Sequence, residues 1–133
     1  MNLTKTTSYS LNVLNYMAQN REVICSANYL HEKLKIPHQY LRQLLTKLSK
    51  DGFIHSTRGR NGGFVFSKKI SEIFLADIIE STEGLDSFNK CMLGFSDCPF
   101  DSKCAMHDFW VDTRERIINE LKTKSLEDLI LKK

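Results

Sequence analysis

A mainly α fold carrying one small β-hairpin is what this sequence predicts. Three observations predict it. The length of 133 residues with 41% hydrophobic content suits one domain with a single core. Apolar residues recur at helical spacing along most of the chain. Two short strand-like runs flank one stretch rich in glycine and arginine, Thr57-Arg58-Gly59-Arg60-Asn61-Gly62-Gly63.

The elements follow in order. Thr7 or Ser8 is expected to cap a first helix, whose apolar positions Leu11, Leu14, Met17 and Ala18 share a face and which ends near Asn20. Ser26 starts a second helix with Ala27, Leu30 and Leu34 on one side and Lys33 and Lys35 on the other. After a short turn at Ile36-Pro37, proline marks the start of a third helix, because its missing N–H has no partner in a first turn anyway. That helix carries Leu41, Leu44, Leu45 and Leu48 and stops at Lys50-Asp51-Gly52, where glycine accepts the left-handed conformation. Phe53–Ser56 and Phe64–Phe66 read as the strands of the hairpin. A further helix runs from Ile73 to Glu83 and is ended by Gly84. The last long helix starts near Cys104 or Ala105, and Ser125–Ile130 forms a capped short helix.

Two short helices joined by a tight turn form a helix-turn-helix candidate, with His38, Gln39, Arg42, Gln43 and Lys47 on the polar side of the second; these residues and Tyr40 are the expected DNA contacts of that helix. A basic hairpin directly after it gives the order of a winged helix. Charge agrees: residues 1–70 hold eleven Lys or Arg against three acids, whereas residues 71–133 hold eight against thirteen. The basic half is the candidate for a polyanionic partner, since cations that neutralise phosphates release counterions. Arg58 and Arg60 at the hairpin tip suit the negative potential of a minor groove, which the tip glycines allow the backbone to approach. A nucleotide-binding loop is disfavoured, because no lysine-serine ending follows the glycines and no helix opens at them.

Cys91, Cys98 and Cys104 fall within one short segment, and His107 follows three residues after the last. Thiolates with an occasional imidazole are the donors that soft metal centres and iron-sulfur clusters take. If a helix begins close to Cys104, positions 104 and 107 share a face. Gly94–Phe100 reads as a loop that leaves Cys91 and Cys98 free to wrap the same centre. Structural zinc is disfavoured, because the gaps of six and five residues exceed those of a zinc knuckle. A cluster-free thiol switch is the alternative. Cys25, in Val23-Ile24-Cys25, reads as a small buried hydrophobe.

The run Ile36–Leu45, then Gly52-Phe53-Ile54, then Ser56–Phe64, resembles the IscR/NsrR-type (Rrf-two) family of bacterial winged-helix regulators. Cys91, Cys98, Cys104 and His107-Asp108-Phe109-Trp110 continue the match, and Met1-Asn2-Leu3-Thr4 looks like the family's start. The resemblance implies a homodimer on palindromic double-stranded DNA, and an iron-sulfur cluster that reports cluster supply, nitric oxide or redox state. It implies Cys91, Cys98, Cys104 and His107 as the ligands of a two-iron (2Fe-2S) cluster, with a four-iron (4Fe-4S) form left open. In the family's nitric-oxide sensor the fourth ligand is an acidic residue of the N-terminal helix; the equivalent position here looks like Ser8, a poor ligand.

Trp110, Thr113, Ile117 and Leu121 form a stripe at three-and-four spacing that suits packing on a partner helix, and the resemblance makes Trp110, Ile117 and Leu121 dimerisation residues. The domain reading is therefore a DNA-binding unit over 1–83, a cluster-binding loop over 84–104, and a dimerisation helix with its tail over 105–133. No nucleophile motif points to an enzyme. No apolar run approaches the roughly 20 residues that span a bilayer, and the N-terminus lacks the pattern of an export signal, so a cytoplasmic location is expected.

Overall fold

Four buried leucines of one helix, Leu41, Leu44, Leu45 and Leu48, anchor the structure, a computed structural model that describes residues 3–95 and 103–131. They belong to α3 (His38–Lys50), which follows α1 (Lys5–Gln19) and α2 (Ala27–Leu34). Strands β1 (Ile54–Thr57) and β2 (Gly63–Phe66) then pair antiparallel, with Ile54 opposite Phe66 and Thr57 opposite Gly63. A 3-10 turn at Ile70–Glu72 leads to α4 (Leu75–Thr82), a second at Leu85–Asn89 follows, and α5 (His107–Thr123) and α6 (Leu126–Leu131) complete the order. The architecture is the expected mainly helical winged helix-turn-helix with one small hairpin and a long C-terminal helix.

The core gathers Val13, Leu14 and Met17 of α1, Leu30 of α2, the leucines of α3, and Phe53, Ile54, Ile73 and Ile78. Leu126 of α6 joins them with no exposure. The tail is thus packed on α1 and on the Ile70–Glu72 turn. It is fastened by an isolated antiparallel bridge between Phe74 and Ser125, in which Leu75 N–H donates to the Lys124 carbonyl at 3.0 Å and Leu126 N–H to that of Ile73 at 2.9 Å.

Several boundaries differ from the sequence reading. Thr4, rather than Thr7 or Ser8, caps α1, accepting from the Thr7 N–H at 3.3 Å. Thr7 lies one turn inside, fully buried, with its hydroxyl 2.6 Å from Glu83 Oε2. The same carboxylate oxygen accepts from the Thr4 N–H at 2.9 Å and the Thr4 hydroxyl at 2.8 Å, so a side chain distant in sequence closes the start of α1. Pro37 stands just outside α3, and the helix begins at His38. Strand β1 ends one residue later than expected because Thr57 pairs with Gly63. The start of α5 is His107, since Cys104–Met106 forms a turn closed by His107 N–H on the Cys104 carbonyl at 3.1 Å. Among the described residues, no helix is long and apolar enough to cross a membrane.

Candidate nucleic-acid interface and cysteine site

The amphipathic pattern of α3 buries its leucines and turns Gln39, Arg42, Gln43, Thr46, Lys47 and Lys50 to solvent. Arg42, Gln43, Thr46, Lys47 and Lys50 border one shallow groove. Thr46 and Lys50 were not singled out from sequence, although their three- and four-residue spacing from Arg42, Gln43 and Lys47 carries the signal. His38 is half-buried at the head of the helix. Tyr40 is turned toward α1: its hydroxyl meets that of Thr6, and its ring stands edge-on to Tyr9 with centroids 5.3 Å apart. Lys47 pairs with Asp51 at 3.3 Å. The hydroxyl of Ser81, and then Lys47, hold the Asp51 carboxyl below its usual range.

The turn between α2 and α3 is tightly held. Lys35 adopts the left-handed conformation at φ 59°, which is uncommon outside glycine. Its N–H donates to the His31 carbonyl at 3.0 Å. The imidazole Nδ1 of His31 lies 2.6 Å from the Ile36 carbonyl oxygen, and its ring sits 4.6 Å from that of His38.

In the wing, Arg58 and Arg60 are exposed at the tip as expected. The glycines beside them serve the fold. A Cβ on Gly62 would run into the Thr57 carbonyl oxygen, and one on Gly63 would come within 2.7 Å of the Cys25 carbonyl. Cys25 bridges Phe64 there, and Phe64 N–H donates to Cys25 O at 2.9 Å. Cys25 itself is 1% exposed, and burial pushes its thiol above the usual value.

Cys91 and Cys104 are half-buried free thiols, and with His107 they line a single cavity beside Trp110. Cys98 lies outside the described residues. The two sides of the cavity are joined by the Trp110 indole N–H, which donates to the Lys90 carbonyl at 2.8 Å, and by Arg114, which reaches the Asn89 carbonyl at 3.3 Å. Cys91 starts a turn in which its carbonyl accepts from Gly94 N–H at 3.0 Å. The donors fit an iron-sulfur centre in chemical type. Among the described residues no three His, Cys, Asp or Glu side chains converge closely enough to hold a metal ion. Ser8 is exposed on α1.

Trp110 is 9% exposed and faces its own chain. Ile117 and Leu121 are half-buried and line, with Thr113, a groove along the outer side of α5.

Comparison with known proteins finds regulators alike in sequence and a solved structure alike in fold. An HTH-type transcriptional regulator of Aquifex aeolicus is 30% identical over 132 residues, covering 98% of this chain and 92% of that protein. The HTH-type transcriptional regulator IscR of Photorhabdus laumondii is 34% identical over 101 residues, covering 76% of this chain; the match spans only 61% of that protein's length. Among solved structures, CymR, the global cysteine regulator of B. subtilis, superposes with a TM-score of 0.80 at 24% identity, covering 100% of this chain and 98% of its own, a likeness of fold. The Rrf2 family model, described as an iron-dependent transcriptional regulator, matches residues 3–132. Nearly the whole chain is covered, and it belongs to the Rrf2 family of transcriptional regulators.

Proposed function

We propose that this regulator's grip on a palindromic double-stranded operator is set by cysteine chemistry in residues 91–107, through an iron-sulfur cluster held by Cys91, Cys98, Cys104 and His107. Transcription regulation through DNA is the family's activity, and it is not an enzymatic one. The cluster reading is carried by one observation: Cys91, Cys104 and His107, from two separate segments, line the same cavity. A two-iron cluster is the favoured form. When bound, it supplies a redox-active group that oxidants and nitric oxide attack. The chain's own residues do the rest. Deprotonated thiolates and a neutral imidazole are needed for ligation, so holding the centre releases protons. Trp110 and Arg114 tie the Cys91 side to α5, whose outer stripe of Ile117 and Leu121 is the proposed homodimer contact.

Toward DNA, Gln39, Arg42, Gln43 and Lys47 lie on the exposed face of α3 with His38 at its head, and Arg58 and Arg60 form the wing tip. Arg58→Ala is expected to weaken all DNA binding, whereas Gln43→Ala relaxes sequence preference, since phosphate contacts position and base contacts specify. A uniform loss across sequences for Gln43→Ala would exclude a base contact.

A second reading has its own support. Cys91 and Cys104 are both free thiols on one cavity, and their two-electron oxidation to a disulfide by a peroxide, which leaves as water, would also reshape the segment with no cluster. Anaerobic purification separates the two. The cluster reading expects brown protein with matching iron and sulfide, visible absorbance lost in Cys104→Ala, and different operator affinities for the loaded and stripped forms. Colourless, iron-free protein after cluster reconstitution would leave the thiol switch.

A further inference from the structure

We infer that His31, a residue of α2 with no expected DNA contact, is a positioning residue that sets operator selectivity by fixing where α3 begins. The inference rests on α3 being the helix that reads DNA. His31 holds the connecting turn at both levels of the chain. Its main-chain carbonyl takes the Lys35 N–H at 3.0 Å, and its side chain reaches the Ile36 carbonyl at 2.6 Å. A carbonyl only accepts, so Nδ1 carries the hydrogen and donates. Between these two bonds sits Lys35 at φ 59°, a conformation unfavourable for a non-glycine residue that persists only where its surroundings hold it.

The hold extends directly into α3. Ile36 is 1% exposed, so its side chain is pinned in the core while its carbonyl is pinned by His31. The next residue, Pro37, has a fixed φ and offers its carbonyl to Leu41 N–H at 2.9 Å, opening the helix. The His31 ring then lies 4.6 Å from that of His38, with planes tilted by 31°. His38 is the first residue of α3, followed by the exposed Gln39. One imidazole therefore fixes the turn conformation and also supports the first side chain at the reading end. Base recognition is lost over displacements smaller than an ångström or so, because hydrogen bonds weaken steeply with misalignment, whereas phosphate contacts by long cationic side chains adapt. Loss of the hold should lower the ratio of operator to random-DNA affinity, more than it lowers random-DNA affinity.

Three substitutions separate the parts of the hold. His31→Leu removes the donor and the aromatic ring. His31→Phe keeps a ring for His38 and removes the donor. His31→Asn places an amide N–H at the topological position of Nδ1 and removes the ring. Operator and random-DNA affinities are measured for each at one salt concentration, at a temperature where circular dichroism shows the variant fully folded, with Gln43→Ala as the control. His31→Leu and His31→Phe are expected to lower the operator-to-random ratio by about tenfold, the scale of one lost base contact, with the salt dependence on random DNA unchanged. His31→Asn is expected to restore most of the ratio. A purely structural histidine would lower the melting temperature and leave the ratio intact; that result, or an Asn variant no better than Phe, overturns the inference. If His31→Leu does not fold, the Asn and Phe pair decides. If Gln43→Ala, and Gln39→Ala and Arg42→Ala measured beside it, all leave the ratio unchanged, α3 is not the reading helix, and it is that underlying assignment that fails.

Discussion

Gly63 shows how one residue joins two parts of the domain. A Cβ there would meet the Cys25 carbonyl carbon and oxygen at 2.7 Å and Ser26 N at 2.8 Å, all backbone atoms that cannot swing aside. The contact exists because Cys25 pairs with Phe64 and so attaches the segment before α2 to the wing. Gly63→Ala must push the hairpin off this bridge, at an expected cost of about 1–3 kcal/mol, the usual range for overpacking. Thermal or denaturant unfolding measures it, and a loss below about 0.5 kcal/mol would show that the bridge yields freely. The glycines were legible in the sequence as a hairpin tip near DNA. Their second reason was not, because a one-residue bridge leaves no periodic trace. Tyr40 was hidden in the same way: it reads from sequence as a DNA contact of α3, yet its hydroxyl and ring are engaged with Thr6 and Tyr9.

At the level of elements, two carboxylates fasten helix ends to α4. Glu83, just beyond α4, accepts from Thr4 and Thr7 at the start of α1, where a negative charge also meets the favourable end of the helix dipole. Asp51, just beyond α3, accepts from the Ser81 hydroxyl of α4 and pairs with Lys47. The Asp51 carboxyl is held below its ordinary value, first by the Ser81 hydrogen bond and then by Lys47, so its folded form binds a proton less readily than its unfolded form. Its stabilisation is therefore present above the ordinary aspartate value near pH 4 and is lost as pH falls through the lower folded value. Ser81→Ala should therefore lower stability at neutral pH, by an amount that solvent screening keeps small, and flatten the acid limb so that the two profiles converge below about pH 4. Denaturant midpoints across that range test it, and parallel profiles for the two proteins would count against the assignment. Helix faces were readable from apolar spacing, as the burial of Leu41, Leu44, Leu45 and Leu48 shows. Helix ends were less so: Thr4 caps α1 with help from Glu83, a partner 79 residues away that no local rule could supply.

Across the whole molecule, α5 is tied at both ends, and this decides how the cysteine segment can reach the DNA-binding half. At its far end the chain bridges Ser125 to Phe74 and buries Leu126 in the core shared with α1 and α3. The tail, read from sequence as an appendage of α5, thus packs with the N-terminal elements. Near its start, α5 is fastened to the Cys91 segment by the Trp110 indole N–H on the Lys90 carbonyl. Trp110 is the single tryptophan of the chain, and its ring is almost wholly buried. Trp110→Phe keeps most of that apolar burial but leaves the carbonyl next to Cys91 without its donor, at an expected cost of about 1 kcal/mol. Because the lost bond is local, loosening should concentrate in residues 85–95 and spare α3 and the wing. Limited trypsin digestion provides the measurement, since Lys90 lies at the joint: cleavage after Lys90 should accelerate several-fold in Trp110→Phe, while cleavage within α3 at Arg42 and Lys47 stays at the rate of the parent protein. Equal acceleration at all three sites would mean that the indole bond supports the fold as a whole. An unchanged rate at Lys90 would mean that Arg114, which reaches the neighbouring Asn89 carbonyl at 3.3 Å, holds the joint alone.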